Sequence, residues 1–282
     1  MTVSQKGAPV HFDPKCLPHG SNIAQKERIA PNSELRNICA DVKKHYDAWV
    51  AGLDLPGILH GNFTDSVSAL NKYVEFTKLV EKADTFFNWR SDFAASVIPE
   101  YLYRIVHYRL AHEGIAALFS TRSSVVEVTL AGTAAGGWNI RHKNQDLCIG
   151  LRQERLLVDN ETVAFVVPQI VFEVKTNIDI NKLNGLDFSA ERLKRSFPAA
   201  KYLLLTETID FSVEDNYAAG SIDEIYVARR QLRSHARREK APLQPEVFAQ
   251  LVDDVTLLMK AASLDRGHVY DRLVHGRLIH AR

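Results

Sequence analysis

The chain has 282 residues, of which 46% are hydrophobic and 24% charged, and its 35 basic and 34 acidic residues leave a net charge of +1. These proportions are those of a globular protein and exclude wholesale disorder and collagen-like repeats. A membrane span needs about 20 consecutive apolar residues, and the sequence has neither such a run nor the apolar segment of a secretory signal. The three cysteines form no C-x-x-C pair, so a disulfide framework and a cysteine zinc site are both unexpected. Together these features predict a cytoplasmic protein.

Residues 1–119 are predicted to form an N-terminal arm and a helical region. The first 30 residues are rich in proline and show no periodicity, which indicates an irregular arm. A helix start follows at Asn32, and apolar residues recur after it at helical spacing. Two further helical patterns are predicted at about 66–89 and 93–119.

Residues 120–282 are predicted to form an α/β core with a C-terminal helix. Short β-branched or alternating segments predict strands, and longer amphipathic ones predict helices. A small-residue loop is predicted at 131–137. The predicted strands are 125–130, 145–152, 164–175, 201–206 and 221–228, and the predicted helices are 178–196 and 244–264. A strand, a helix and a strand in this order predict a parallel crossover.

Three residues of this core are candidates for chemistry. Glu173 and Lys175 end an apolar strand and point to the same face, because side chains alternate along a strand. Asp146 opens the preceding strand and meets that face if the two strands pair as a hairpin. Two carboxylates suit Mg²⁺, and a lysine suits a phosphate. The pattern therefore predicts metal-assisted hydrolysis of a phosphodiester.

A structural interpretation of the same residues is also open. Acid-x-Lys triplets occur three times in the chain, and only the one at 173–175 ends a buried strand and follows an isolated aspartate at a strand start. In the alternative interpretation, Glu173 and Lys175 form a solvated strand end and Asp146 is a turn residue.

Asp146 followed by Glu173-Val174-Lys175 resembles the PD-(D/E)xK nuclease signature. The segment VFEVKTNIDINKLNGLD at 171–187, with the strand after it, is similar to type II restriction endonucleases, and in particular to the heterodimeric BbvCI-like enzymes. The resemblance covers roughly residues 90–210, and Gln145 stands where the signature has proline. It implies an α/β fold with a restriction-endonuclease-like core, a mixed central sheet flanked by helices, behind the helical N-terminal region.

The resemblance also implies a function, namely Mg²⁺-dependent, sequence-specific hydrolysis of DNA that leaves 5′-phosphate and 3′-hydroxyl ends. Asp146, Glu173 and the Val174 carbonyl would bind the metal, and Lys175 would orient the attacking water. Glu100 matches a further acid that members of this superfamily carry on a helix ahead of the core strands. Alternatively, Glu100 is a solvated acid near a helix N-terminus.

The implied partners are double-stranded DNA and a second subunit, in a homodimer or a heterodimer, and no membrane. Basic residues cluster at 192–201 and 229–240, where they indicate either phosphate contacts or a solvated helix. The candidate DNA-binding residues are Lys143, Asn177, Lys182, Arg192, Lys194, Arg195, Arg229, Arg230 and Arg233. Two other functions remain open: a repair or recombination nuclease on the same core, and a DNA-binding partner subunit with an idle site.

Overall fold

The computed structural model describes residues 10–88, 93–121, 124–130, 137–158, 161–214, 217–263, 273, 274 and 276. The predicted loop at 131–137 lies outside these residues, except for Gly137. The helices are α1 (Pro18–Ile29), α2 (Ser33–Ala51), α3 (Leu55–Leu59), α4 (Thr64–Ala83), α5 (Val97–His112), α6 (Ile180–Ser196), α7 (Arg233–Ala236) and α8 (Pro245–Ala262). The strands are β1 (Leu118–Ser120), β2 (Ser124–Leu130), β3 (Trp138–Lys143), β4 (Leu147–Gly150), β5 (Gln153–Val158), β6 (Glu161–Val166), β7 (Ile170–Asp179), β8 (Lys201–Asp210) and β9 (Glu224–Leu232). None of the helices in this described part is long and apolar enough to cross a membrane.

Five of the strands form a mixed central sheet in the order β1-β4-β7-β8-β9. β4 pairs antiparallel with β1 and β7, whereas β8 pairs parallel with β7 and β9. The crossover from β7 to β8 is made by α6, as the strand-helix-strand pattern predicts. Two separate antiparallel ribbons, β2–β3 and β5–β6, complete the β structure of the described residues. The predicted α/β class with a mixed sheet is confirmed.

The two faces of the central sheet are buried by different parts of the chain. Ile170 and Phe172 of β7 belong to a large apolar cluster with the N-terminal helices and α8. Val171, between them, packs with Ala190 and Leu193 of α6 on the opposite face. Alternation along one strand thus produces a three-layered arrangement, as expected for a sheet that is covered on both sides.

The predicted irregular arm is wrong for residues 18–29, which form α1. Pro18 occupies the first turn, where a missing N–H costs nothing. Only His19 and Ile23 of this helix are buried, so it has almost no apolar stripe that a sequence pattern could reveal. The helix forms because these two side chains are buried in the tertiary structure.

The predicted strand 164–175 is two strands. Pro168 lies between β6 and β7 and has no N–H to donate to a sheet. As a result, β6 pairs with β5, while β7 enters the central sheet.

The helix predicted to reach residue 119 ends at His112, and Phe119 lies in β1. The predicted boundary after residue 119 thus falls within a strand, and one apolar cluster joins residues from both sides of it. The division into two domains stays a prediction.

A buried ion network attaches α4 to the central sheet. Glu207 of β8 is almost fully buried and accepts hydrogen bonds from Lys78 Nζ of α4, at 2.9 Å to each carboxylate oxygen. Its Oε2 also accepts from Arg229 Nε of β9 at 2.7 Å. The Arg229 guanidinium donates to the Ala241 carbonyl as well. The network therefore holds α4 against β8 and β9.

We expect Arg229→Ala to destabilise the fold by about 3 kcal/mol, because removing one partner of a buried ion pair leaves the other charge less compensated. The matched control is Arg230→Ala, since the Arg230 side chain is 57% exposed and that of Arg229 only 2%. Urea unfolding of the two variants measures the difference. Equal free energies of unfolding for both variants would contradict a structural role for Arg229.

Candidate active site

The register of two strands brings the predicted acidic residues together. β4 and β7 pair antiparallel with Leu147 opposite Phe172, so the residue before β4 lies beside the residue after Phe172. Asp146 Oδ2 accepts a hydrogen bond from the Val174 N–H at 2.7 Å. Asp146 and Glu173 thereby lie next to each other at the same position of the sheet.

The Lys175 ammonium lies where the predicted metal-binding oxygens converge. Its Nζ is 2.7 Å from Glu173 Oε2, 3.3 Å from Asp146 Oδ2 and 3.1 Å from the Val174 carbonyl oxygen. One cation thus contacts both carboxylates and the carbonyl, which is where the sequence placed a metal.

Two further groups hold Glu173, whose side chain is only 4% exposed. Lys143 Nζ donates to Glu173 Oε1 at 2.5 Å, and Tyr202 Oη donates to the same oxygen at 3.3 Å. The sequence named Lys143 only as a DNA-binding candidate and gave Tyr202 no role. Tyr202 lies in a wholly apolar strand segment, so no local signal distinguished it from the core.

Burial and charge act in opposite directions at this site. Burial raises the pKa of Asp146, and the neighbouring Lys175 ammonium only partly offsets this effect. Burial also pushes the pKa of Glu173 upward, but the Lys175 and Lys143 ammonium groups outweigh it and hold that pKa below its usual range. For Lys175, the two carboxylates outweigh burial and raise the pKa. Glu173 therefore stays ionised and Lys175 stays protonated at neutral pH.

The donor set fits a hard divalent cation. Carboxylate and carbonyl oxygens are the ligands that Mg²⁺ takes in proteins, usually with several waters. A cationic ammonium already contacts these three oxygens, so their arrangement is compatible with a positive charge at that point. The described residues contain no cluster of three or more acidic, histidine or cysteine side chains, so a metal here would rest on two carboxylates and one carbonyl.

A cleft opens beside the site between α4, the segment before α5, and β7. It encloses about 290 Å³, and Val174, Lys175 and Thr176 of β7 line one side. The charged side chains on its other walls are Lys78, Glu81, Lys82 and Glu207. Lys82 is exposed and has no carboxylate partner among the residues that the structure describes. The sequence did not indicate these wall residues, because only the packing of α4 on the sheet brings them to the site.

Glu100 lies elsewhere. Its Oε1 accepts hydrogen bonds from Tyr46 Oη at 2.6 Å and from Arg104 Nη2 at 2.9 Å, and its Oε2 accepts from the Gly20 N–H at 2.9 Å. Glu100 is fully buried, so the interpretation as a solvated acid is wrong. Its partners belong to α1, α2 and α5, and the structure does not bring it together with Asp146, Glu173 and Lys175.

Most of the candidate DNA-binding cations are paired with carboxylates in the free chain. These pairs are Lys143–Glu173, Lys182–Asp179, Arg192–Glu127, Lys194–Asp223, Arg195–Glu191, Arg230–Glu246 and Arg233–Asp210. Arg229 differs from these, because its burial in the Glu207 network leaves no surface for a phosphate. Asn177 accepts a hydrogen bond from Thr208 Oγ1 at 3.0 Å, and its Nδ2 has no partner among the described residues.

Comparison with known proteins identifies the family. Residues 92–241, more than half of the chain, match the family model described as Bpu10I restriction endonuclease. The chain belongs to the Bpu10I restriction endonuclease family. It is a type II site-specific endonuclease, as the resemblance in the sequence implied.

A solved structure supports this family assignment. The structure described as "native BbvCI A2B2 tetramer at low resolution" matches with a TM-score of 0.67 and 39% identity, over 90% of this chain and 97% of that chain. A comparison with curated protein sequences found no match.

We expect Glu100→Ala to lower the free energy of unfolding by about 3–5 kcal/mol, because it leaves the buried Arg104 without its carboxylate. Urea unfolding measures this loss. At a temperature where the endonuclease variant is still folded, its cleavage rate is expected to equal that of the parent. The conservative variant Glu100→Gln is the control. If this variant unfolds like the parent but no longer cleaves DNA, Glu100 takes part in catalysis.

Proposed function

We propose that this chain cleaves double-stranded DNA at a specific sequence by Mg²⁺-dependent hydrolysis, leaving 5′-phosphate and 3′-hydroxyl ends. The observation that carries the proposal is the contact of one ammonium, that of Lys175, with Asp146, Glu173 and the Val174 carbonyl. Membership of a restriction endonuclease family supports DNA as the substrate.

Asp146, Glu173 and the Val174 carbonyl would hold the metal. A bound Mg²⁺ would activate water and neutralise charge that develops on the phosphoryl oxygens. Lys143 and Tyr202 keep the Glu173 carboxylate fixed on its other oxygen, so that Oε2 faces Lys175. Fixed ligands of this kind reduce the reorganisation that a metal site needs.

Lys175 would orient the attacking water and stabilise the charge on the phosphorus oxygens. Its side chain reaches the two carboxylates and also lines the cleft, so its ammonium would lie close to a phosphate bound there. Lysine suits this role as a compact point charge on a flexible stem.

The DNA backbone would pass along the cleft beside α4. Lys82 provides an exposed cation on the cleft wall, and Lys78 lies deeper in the ion pair with Glu207. The paired surface cations, such as Arg192, Lys194 and Arg195, would reach phosphates only by leaving their carboxylate partners.

We also propose that the active enzyme contains more than one subunit, as a homodimer or as a heterodimer with a related chain. One site of this kind cuts one strand, so cleavage of a duplex needs two sites. The similarity to a BbvCI tetramer of composition A2B2 supports such an assembly. The presence of Asp146, Glu173 and Lys175 in contact argues against an idle partner subunit.

Cleavage is expected to require Mg²⁺ or Mn²⁺ and to stop in EDTA, because carboxylate oxygens bind these ions reversibly and a chelator removes them. Plasmid cleavage with and without each ion measures the requirement. Readdition of excess Mg²⁺ is the control and should restore activity. Undiminished cleavage in EDTA would contradict the metal assignment.

Lys175→Ala is expected to reduce the cleavage rate by about 10²–10³-fold, the usual cost of removing a group that stabilises transition-state charge. Binding of the specific DNA should remain, since recognition is spread over many other contacts. The matched control is Lys43→Ala, in the acid-x-Lys triplet of α2, where Lys43 is exposed and paired with Asp47. If Lys175→Ala cuts as fast as Lys43→Ala while both are folded, the catalytic group lies elsewhere.

A further inference from the structure

We infer that the β2–β3 ribbon reads bases of the DNA in the major groove, with Arg141 and Asn139 as its specificity-determining side chains. This inference rests on the proposed DNA cleavage, and it goes beyond it by assigning the recognition element. It draws on three independent features of the ribbon, namely its connection to the candidate active site, its two unlike faces and the match of a two-stranded ribbon to the DNA major groove.

The first feature is the direct connection between the ribbon and the catalytic carboxylate. β3 ends at Lys143, whose ammonium contacts Glu173 Oε1 at 2.5 Å. Lys143, Arg141 and Asn139 point to the same face of β3, because side chains alternate along a strand. The irregularity in the ribbon places its extra residue on β2, between Val125 and Glu127, so the alternation along β3 is uninterrupted. One row of side chains therefore runs outward from the active site.

The second feature is the difference between the two faces of the ribbon. Ile140 and Val128 lie opposite each other and pack on the apolar cluster of Val125, Phe165 and Val167. This inner face accounts for the folding of the ribbon.

The outer face is different, because the packing of the ribbon does not account for its polar side chains. Asn139 lies opposite Thr129 in the ribbon. Both side chains are exposed and have no hydrogen-bond partner among the described residues. The Arg141 side chain is 58% exposed and lies 3.7 Å from Glu127, an acid that is already paired with Arg192. The side chains of Asn139 and Thr129 therefore keep their hydrogen-bonding capacity for a ligand, whereas Arg141 would exchange a long ion pair with Glu127 for a base contact.

The third feature is the match between the ribbon and duplex DNA. The major groove, about 12 Å wide, admits a two-stranded β-ribbon and distinguishes all four base pairs, whereas the minor groove, about 6 Å wide, mainly separates A·T from G·C. Residues of a strand advance by about 3.3 Å, so Arg141 and Asn139 lie roughly 7 and 13 Å from Lys143 along β3. With about 3.4 Å per base pair, these distances from Lys143 correspond to about two and about four base pairs.

The side-chain types determine which bases are read. Arginine forms two hydrogen bonds with guanine, and asparagine forms two with adenine. We therefore assign a guanine to Arg141 and an adenine to Asn139. The β5–β6 ribbon also carries an exposed arginine, Arg155, but none of the described contacts of the catalytic residues involves that ribbon.

Binding selection tests the assignment separately from cleavage. The full chain carrying Lys175→Ala, in Mg²⁺, selects duplexes from a randomised library, and the retained sequences are read. Arg141→Ala and Asn139→Ala are then added singly. Each is expected to lose roughly 5- to 150-fold of discrimination at one base position, a guanine for Arg141 and an adenine for Asn139. Arg155→Ala is the matched control and should retain the full preference.

Three outcomes would overturn the assignment. Unchanged base preferences in both β3 variants, or a parent chain that enriches no sequence, would mean that the ribbon reads no base. Weaker binding to all sequences alike would make these residues phosphate contacts, and for the charged Arg141 the salt slope would then fall by about one. Failure of the proposed cleavage appears separately, as a chain with Lys175 intact that binds the selected sequence but does not cut it. Melting curves confirm that the exposed substitutions leave the fold intact.

Discussion

The antiparallel pairing of β4 with β7 is the constraint on which the active site depends. Its register puts Asp146 beside Glu173 and lets the Val174 N–H hold one carboxylate oxygen. Two carboxylates at such close range repel each other, and burial makes the charged forms more costly. Lys175 binds both acids and Lys143 binds Glu173, and these contacts offset part of the cost. The site is therefore a balanced cluster of charges in which one ammonium contacts the oxygens that suit a divalent ion.

The N-terminal helical region contributes to the same site, although Asp146, Glu173 and Lys175 all lie outside it. α4 is attached to the sheet by the buried Glu207 network, and through this attachment it forms one wall of the cleft beside Lys175. Glu100 plays a similar part farther away, since it connects α1, α2 and α5. Glu207 and Glu100 thus fix the position of helices around the sheet that carries the candidate active site.

Most of the candidate DNA-binding cations are neutralised by carboxylates in the free chain. Arg192 and Arg233, one in each basic segment, are paired in this way, so a run of basic residues in the sequence does not by itself mark a DNA-binding surface. The outer face of the β2–β3 ribbon is different, because the side chains of Asn139 and Thr129 have no hydrogen-bond partner among the described residues. Hydrogen-bonding groups left unsatisfied next to a catalytic centre are available to a substrate at little cost in broken contacts.

The sequence by itself determined the α/β class, the parallel crossover around α6 and the family, and it predicted that Asp146, Glu173 and Lys175 lie together. These depend on local signals, namely alternation along strands, amphipathic periodicity and a short motif, which the sequence placed at a strand end and which lies within β7. Only the tertiary structure decided that α1 is a helix, that Tyr202 supports Glu173, that Arg229 is buried, and that Glu100 lies away from the site. Each of these depends on groups that are distant in the chain. A side chain's partners are set by packing between elements, and no local pattern encodes that packing.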